Sequence, residues 1–308
     1  MREYRLAFAD GLILLAKKHE DVMLVESDIA SPARGWFKKE ATDQFVNTGV
    51  AEANAVTIAA GLASEGYIPF WYTYGFLIER AYNQIKQSVA TDQRNVKIFA
   101  YNCGVSGVGG SSHNEVFDLA LMRVLPNFVV MAPADDIEME KMVIVSYRHN
   151  GPVYVRFPRG KTASLFDKEY CFKIGNGVIM REGKDITVIA CGSMVKDALI
   201  VADCLISELD VEVISMSTIK PLDRELVIRS AKKTGAVLTV EEHSIIGGLG
   251  EAVSSVLSQN YSVPMKIMGV NDVMTQSGKG DLRSYYGLSC EGIMGNIREL
   301  GKMKGWKR

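Results

Sequence analysis

Four short runs, VMLVES (22–27), VKIFAYN (96–102), FVVMAP (128–133) and VYVRF (153–157), are apolar at successive positions and rich in Val, Ile and Phe. That pattern predicts strands covered on both faces, as in a parallel sheet. Helical stretches are expected between them at 52–65, 77–91, 114–124 and 135–148. Strand–helix alternation of this kind predicts a parallel sheet with helices on both of its faces. The opening MREYRLAFADGLILLAKK breaks its apolar residues with Arg5 and Asp10, and so reads as an amphipathic helix, not a signal peptide. PFWYTYGF (69–76) crowds five aromatic residues into eight positions. Such a run is most often core, although aromatics at a strand edge can stack on a planar ring.

The rhythm breaks at PRGKTASLFDKEYCFKIGNG (158–177), which mixes charges, glycines and a proline without a period. It reads as a linker to a second unit. There DITVIACGS (185–193), VEVISMST (211–218) and AVLTVEEH (236–243) are the expected strands, with helices after the first and from about 223 and 249. The expected organisation is two consecutive three-layer α/β domains with mostly parallel sheets. They cover 1–165 and 183–308, with a linker over 166–182. No residue-level repeat relates the halves.

Charge narrows the function. With 35 Lys and Arg against 36 Asp and Glu among 308 residues, there is no basic excess for neutralising nucleic-acid phosphates. The basic stretch from Lys302 to Arg308 reads as a solvated terminus. No apolar run approaches the roughly 20 residues of a membrane helix. Five cysteines, odd in number and without CxxC spacing, fit reduced thiols in a cytoplasm and argue against a disulfide framework or a structural zinc site.

Several residues are candidates for chemistry. Glu52 opens a stretch packed with small apolar residues and has no Lys or Arg three or four positions away. Burial there would raise its pKa and make it a proton donor. The competing reading places it on a wet helix start, favoured by the helix dipole. His113 follows Gly104, Gly107, Gly109 and Gly110 in a strand-to-helix loop. Ligands bind at such loops on the carboxyl edge of parallel sheets. An incidental helix-capping His is the plainer alternative. Arg156 and Arg159 end a strand, where arginine suits phosphate or carboxylate, although surface ion pairs are commoner there. In HSIIGGLGEA the glycines lack the third member of a dinucleotide fingerprint, so a tight strand–helix turn is expected. GKGD (278–281) is too short to signify a metal site.

In order along the chain, GVAEANA, the aromatic strand with ERAYNQI, GVGGSSHNEVFDLALMR, PADD and GPVYVRFPRG resemble the pyrimidine-binding domain of transketolases and 1-deoxyxylulose-5-phosphate synthases. ITVIACGSMV, IKPLD and VEEHSIIGGLGEAV resemble the C-terminal domain of those enzymes. The resemblance spans about residues 1–305. It implies a thiamine diphosphate-dependent transferase that moves a two-carbon ketol unit from a ketose to an aldose. The family's GDG motif, which belongs to a separate diphosphate-binding domain, does not occur in this sequence. The chain therefore resembles the second subunit of a split transketolase, and also the β subunit of 2-oxo acid dehydrogenase E1 components. An N-terminal-type subunit would hold Mg²⁺ and the diphosphate, in an assembly such as α2β2 with helix 52–65 at an interface.

By the same resemblance Glu52 matches the glutamate that hydrogen-bonds N1′ of the aminopyrimidine. Tyr74 most nearly matches the stacking aromatic, with Tyr72 and Phe76 nearby. His113 matches the histidine facing substrate oxygens. Arg159 matches a substrate-phosphate arginine, with Arg156 as the fallback. Asp28, in ESDIASP, resembles a segment near the cofactor. Gly109 stands where transketolases carry an aspartate that contacts a substrate hydroxyl, which implies a substrate other than the usual pentose phosphates. A decarboxylating synthase or E1-type enzyme is the alternative, and a non-catalytic scaffold is a more remote one.

Overall fold

The computed structural model describes residues 1–105, 110–271 and 281–305. Two sheets carry the molecule. The first unit contributes β2 (Val22–Glu26), β3 (Phe45–Asn47), β4 (Ile68–Tyr74), β5 (Lys97–Tyr101), β6 (Val129–Met131) and β7 (Val153–Phe157) to a seven-stranded sheet. A short ribbon of β1 (Arg2–Glu3) and β8 (Lys161–Thr162) lies apart. The second unit forms a five-stranded sheet from β9 (Val178–Arg181), β10 (Ile186–Ala190), β11 (Val211–Ser215), β13 (Val237–Ser244) and β14 (Met265–Val270). Its remaining strand, β12 (Thr218–Lys220), leaves that sheet and pairs antiparallel with β6 at the edge of the first. The first sheet runs in the order β12-β6-β7-β5-β4-β2-β3, and the second runs β14-β13-β10-β11-β9. All pairings within these two sheets are parallel except β12–β6 and β11–β9.

The doubly apolar strand pattern has its cause in two cores. Along β2, Leu24 faces one hydrophobic cluster with Phe8 and Phe37, while Val25 faces another with Ala55 and Trp71. The cluster beneath Trp71 continues into the second unit through Ile189, Ile214 and Leu249. Apolar burial therefore joins the two units as well as filling each.

Helices cover the sheets: α1 (Tyr4–Ala16), α2 (Arg34–Glu40), α3 (Glu52–Ser64), α4 (Tyr82–Gln84), α5 (Asp118–Val124) and α6 (Asp136–Arg148) on the first unit. The second carries α7 (Met194–Cys204), α8 (Arg224–Thr234), α9 (Leu249–Asn260), α10 (Leu282–Tyr285) and α11 (Cys290–Met303). No helix among the described residues is long and apolar enough to cross a membrane.

Two expected helices differ. The stretch 77–91 is a chain of tight turns, the short α4 and a π-turn over Ile85–Ala90. Its buried residues Ala81, Ile85 and Val89 recur every fourth position, the spacing of a single covered face. The helix expected over 114–124 begins only at Asp118. The residues before it are engaged elsewhere: Gly104 N–H bonds the Glu115 carbonyl at 2.7 Å, and Ser244 N–H bonds that of Val116 at 2.8 Å. Residues 166–177 hold no helix or strand.

Candidate active site

Because β2, β4, β5 and β7 are parallel, their carboxyl ends share one edge of the first sheet. Asp28 follows β2, Tyr74 ends β4 and Phe76 follows it, His113 stands on the loop after β5, and Arg159 follows β7. Glu52 starts α3 just beyond β3. Side chains separated by more than a hundred residues of chain are thus brought to one ligand-binding edge, as topology requires.

Glu52 combines features of its two readings, burial and a place at a helix start. It is 3% exposed, and it lies in the first turn of α3. The fold also supplies a cation that local spacing did not. Arg80, itself largely exposed, stands 3.7 Å from the Glu52 carboxylate. The rest of α3 is two-sided: Ala55, Val56, Ala59 and Ala60 are buried, whereas Asn54, Thr57 and Gly61 are exposed.

The aromatic run divides at the end of the strand. Phe70, Trp71 and Tyr72 are core. Tyr72 is 1% exposed and packs on Phe8, Tyr101 and Phe157. It shares a face of β4 with Tyr74 but lies two residues further from the strand end, covered by Phe8 and Phe157, so it offers no free face to a ligand ring, contrary to expectation. Tyr74 and Phe76 are half-buried and stacked with centroids 5.7 Å apart, and Tyr74 also stacks on Tyr101 at 5.6 Å. Gly75 between them has no alternative: a Cβ there would lie 2.5 Å from Cys103 Sγ and 2.9 Å from the Glu115 side chain.

His113 is exposed, with its ring 4.7 Å from Phe76 and Nδ1 2.9 Å from Ser112 Oγ. Asn102 holds the loop from below, its amide donating to the His113 carbonyl at 3.2 Å. Asn102 is buried with φ of 65°, a left-handed conformation that asparagine tolerates. Its position at the end of VKIFAYN was the available turn signal. Gly107 and Gly109 lie outside the described residues.

The two arginines separate clearly. Arg159 is exposed at the edge. Arg156 is buried and paired to Asp118 at 2.8 Å, and its guanidinium also donates to the carbonyls of Glu115 and Glu242. Burial alone would lower its pKa, but the Asp118 carboxylate outweighs that and raises it. Arg156 is therefore a structural tie between the units and not a free substrate contact. Sequence reading also missed Glu115, whose carboxyl is pushed up to about 8 by burial and by Asp118. It missed Arg5 too, which with Arg159 acts electrostatically on Tyr101. Asp28 is exposed with φ of 65°, 3.9 Å from Arg34, which is itself ion-paired to buried Glu26 at 2.5 Å.

The glycines of GGLGEA serve a tight turn, as expected. Buried Glu241 accepts from Leu249 and Gly250 N–H at 2.7 Å each, and a Cβ on Gly248 would overlap its carboxylate.

The fold and this edge define a two-domain α/β protein with its candidate ligand residues on the first sheet. Residues 1–164 match the transketolase pyrimidine-binding domain, and residues 175–293 match the transketolase C-terminal domain. The chain belongs to the transketolase family of transferase-type enzymes, and corresponds to its C-terminal section. It is 40% identical over 303 residues to a putative transketolase C-terminal section of Methanocaldococcus jannaschii, covering 96% of this chain and 95% of that one. It is 34% identical to the 6-deoxy-6-sulfo-D-fructose transketolase subunit SqwH of a Clostridium species, covering 98% and 96%. A 1-deoxy-D-xylulose-5-phosphate synthase of Geobacter metallireducens is 38% identical over 86% of this chain, but only 44% of that enzyme is covered. Among solved structures, a split-gene transketolase described as an inactive β4 tetramer superposes with a TM-score of 0.90 at 38% identity, covering 97% and 98%. Transketolase from Campylobacter jejuni superposes at 0.79 with 20% identity over 96% of this chain and 46% of that one, a likeness of fold.

Proposed function

We propose that this chain, with an N-terminal-type subunit, forms a thiamine diphosphate-dependent transketolase that transfers a two-carbon ketol unit between sugars. The observation carrying this reading is the shared edge: a buried carboxylate on α3, a half-buried stacked Tyr74–Phe76 pair, and His113 against Phe76. That set fits the aminopyrimidine end of the cofactor, an aromatic ring with hydrogen-bonding nitrogens. In this reading Mg²⁺ and the diphosphate are held by the partner, because the family's GDG motif does not occur in this sequence. When bound, the cofactor supplies the electron sink for breaking a ketose carbon–carbon bond.

The chain's own residues have separable tasks. Glu52 shares a proton with the pyrimidine ring nitrogen, the role its buried carboxyl suits. Tyr74 and Phe76 hold the ring plane. His113 meets substrate oxygens as donor or acceptor. Arg159 receives a terminal oxyanion of the ketose, phosphate or sulfonate. Asp28 lies at the cofactor end near the partner. The half-open face of α3 and Val50, 72% exposed, support association through this side, as in an α2β2 assembly.

The relationship to 1-deoxy-D-xylulose-5-phosphate synthase supports a second reading, decarboxylation of a 2-oxo acid. One experiment separates them. The chain and its N-terminal-type partner are mixed with thiamine diphosphate and Mg²⁺, and then offered ketose with aldose or pyruvate with aldose. Ketol transfer without CO2 release supports the proposal. CO2 release supports the second reading, and a pair that does not bind the cofactor sinks both.

A further inference from the structure

Helix α5 has seven residues and follows directly on the His113 loop. A helix this short is unstable alone, because its first and last backbone groups lack partners inside it. Its N-cap, Phe117, provides no side-chain cap. Glu115 takes the N–H groups of Phe117 and Asp118 at 2.6 and 2.8 Å. The next partners come from the second unit.

The Ala120 N–H points at His243 Nε2, 3.3 Å away on β13. Nδ1 of the same ring is 2.8 Å from the Ser244 carbonyl. A proton on Nδ1 satisfies that carbonyl and leaves Nε2 as an acceptor, so one neutral tautomer serves both contacts. At the other end of α5 the Lys220 ammonium donates to the carbonyl of Arg123 at 3.0 Å and to that of Leu125. The Arg123 guanidinium reaches the carbonyls of Gly247 and Gly248. Gly247 has φ of 77°, and a Cβ on it would overlap Ala120.

We propose that His243 and Lys220 are positioning residues. The second unit terminates both ends of α5 and so fixes the loop that presents His113 to Phe76. This rests on His113 being a site residue, but its structural half is tested without activity.

The test is amide hydrogen exchange on the purified chain. His243→Phe keeps the ring volume and removes the acceptor, His243→Asn keeps an acceptor, and Lys220→Met removes the ammonium. In His243→Phe and Lys220→Met, peptides covering 114–124 are expected to exchange roughly tenfold faster or more. Peptides of β10 and β11 are expected to stay unchanged, and His243→Asn to restore most of the protection. In the complex, His243→Phe is expected to lower ketol-transfer kcat/KM more than it lowers cofactor affinity, since Glu52 and Tyr74 stand on α3 and β4 and not on α5. Unchanged exchange over 114–124 in both variants overturns the proposal, as does acceleration spread evenly over both sheets. Should His243→Phe fail to fold, Lys220→Met decides. A wild-type pair without ketol transfer refutes the functional reading, while the exchange result still judges the clamp.

Discussion

Removing the Asp118 carboxylate should be among the most damaging single changes available in this chain. Asp118 is fully buried and Arg156 is 6% exposed. Their charges meet at 2.8 Å, and Tyr154 Oη donates to the same carboxylate at 2.7 Å. Asp118→Ala takes from a buried guanidinium the carboxylate paired to it and from a tyrosine hydroxyl its acceptor. Breaking a buried pair from one side costs roughly 3–5 kcal/mol, whereas replacing both partners by apolar residues is often neutral. The orphaned hydroxyl adds about 1 kcal/mol or more. The assay is urea unfolding followed by far-UV circular dichroism, read at the first transition, because two units need not unfold together. Asp118→Ala should lose about 4 kcal/mol or fail to accumulate folded. The double variant Asp118→Leu, Arg156→Met should recover most of that loss. A loss below about 1 kcal/mol for Asp118→Ala, the value of an exposed pair, would refute the argument from burial.

Three further outcomes follow from geometry. Glu52→Gln should abolish ketol transfer in the complex while leaving the melting temperature of the chain close to wild type, and an active Glu52→Gln enzyme would remove Glu52 from the proton path. Gly75→Ala should destabilise by a few kcal/mol, since its methyl meets Cys103 and Glu115, and a variant with wild-type stability would show that the turn yields. Burial pushes Glu138 up to about 7 against the donors Ala134 N–H and Ser217 Oγ, so the folded state binds its proton more tightly than the unfolded one. The corresponding stability is full below about pH 4.5 and is lost as pH rises through 7, roughly 3 kcal/mol in all. Glu138→Gln should flatten the decline between pH 5 and 8, and an unaltered slope would assign it to other groups.

The strands were legible because parallel sheets bury both faces, and 22–27, 96–102 and 153–157 show that in apolar residues at both odd and even positions. Glu52, Tyr74, Phe76, His113 and Arg159 could be marked as chemically suited residues. Their meeting at one edge follows from strand order, which no local pattern encodes. The errors share a cause in long-range contacts. Tyr72 and Tyr74 look alike in sequence and share one face of β4, and only the packing of Phe8 and Phe157 on the inner one separates them. Arg156 and Arg159 look alike too, until Asp118 arrives from a helix 38 positions earlier to claim the first. The helix expected from 114 starts late because Glu115 and Val116 are bound to backbone far along the chain.

The strand at 218–220 has a consequence for how this molecule comes into being. During synthesis the first sheet is complete except at β6, whose open side stays bare until Lys220 has emerged. A bare strand edge is a template for pairing with another chain. The earlier unit thus waits, unsealed, for a piece of the later one, and a fragment cut between them would carry that unsealed edge permanently. Separating the units should therefore yield a first half prone to self-association, both at that edge and over the apolar surface it shares with the second unit.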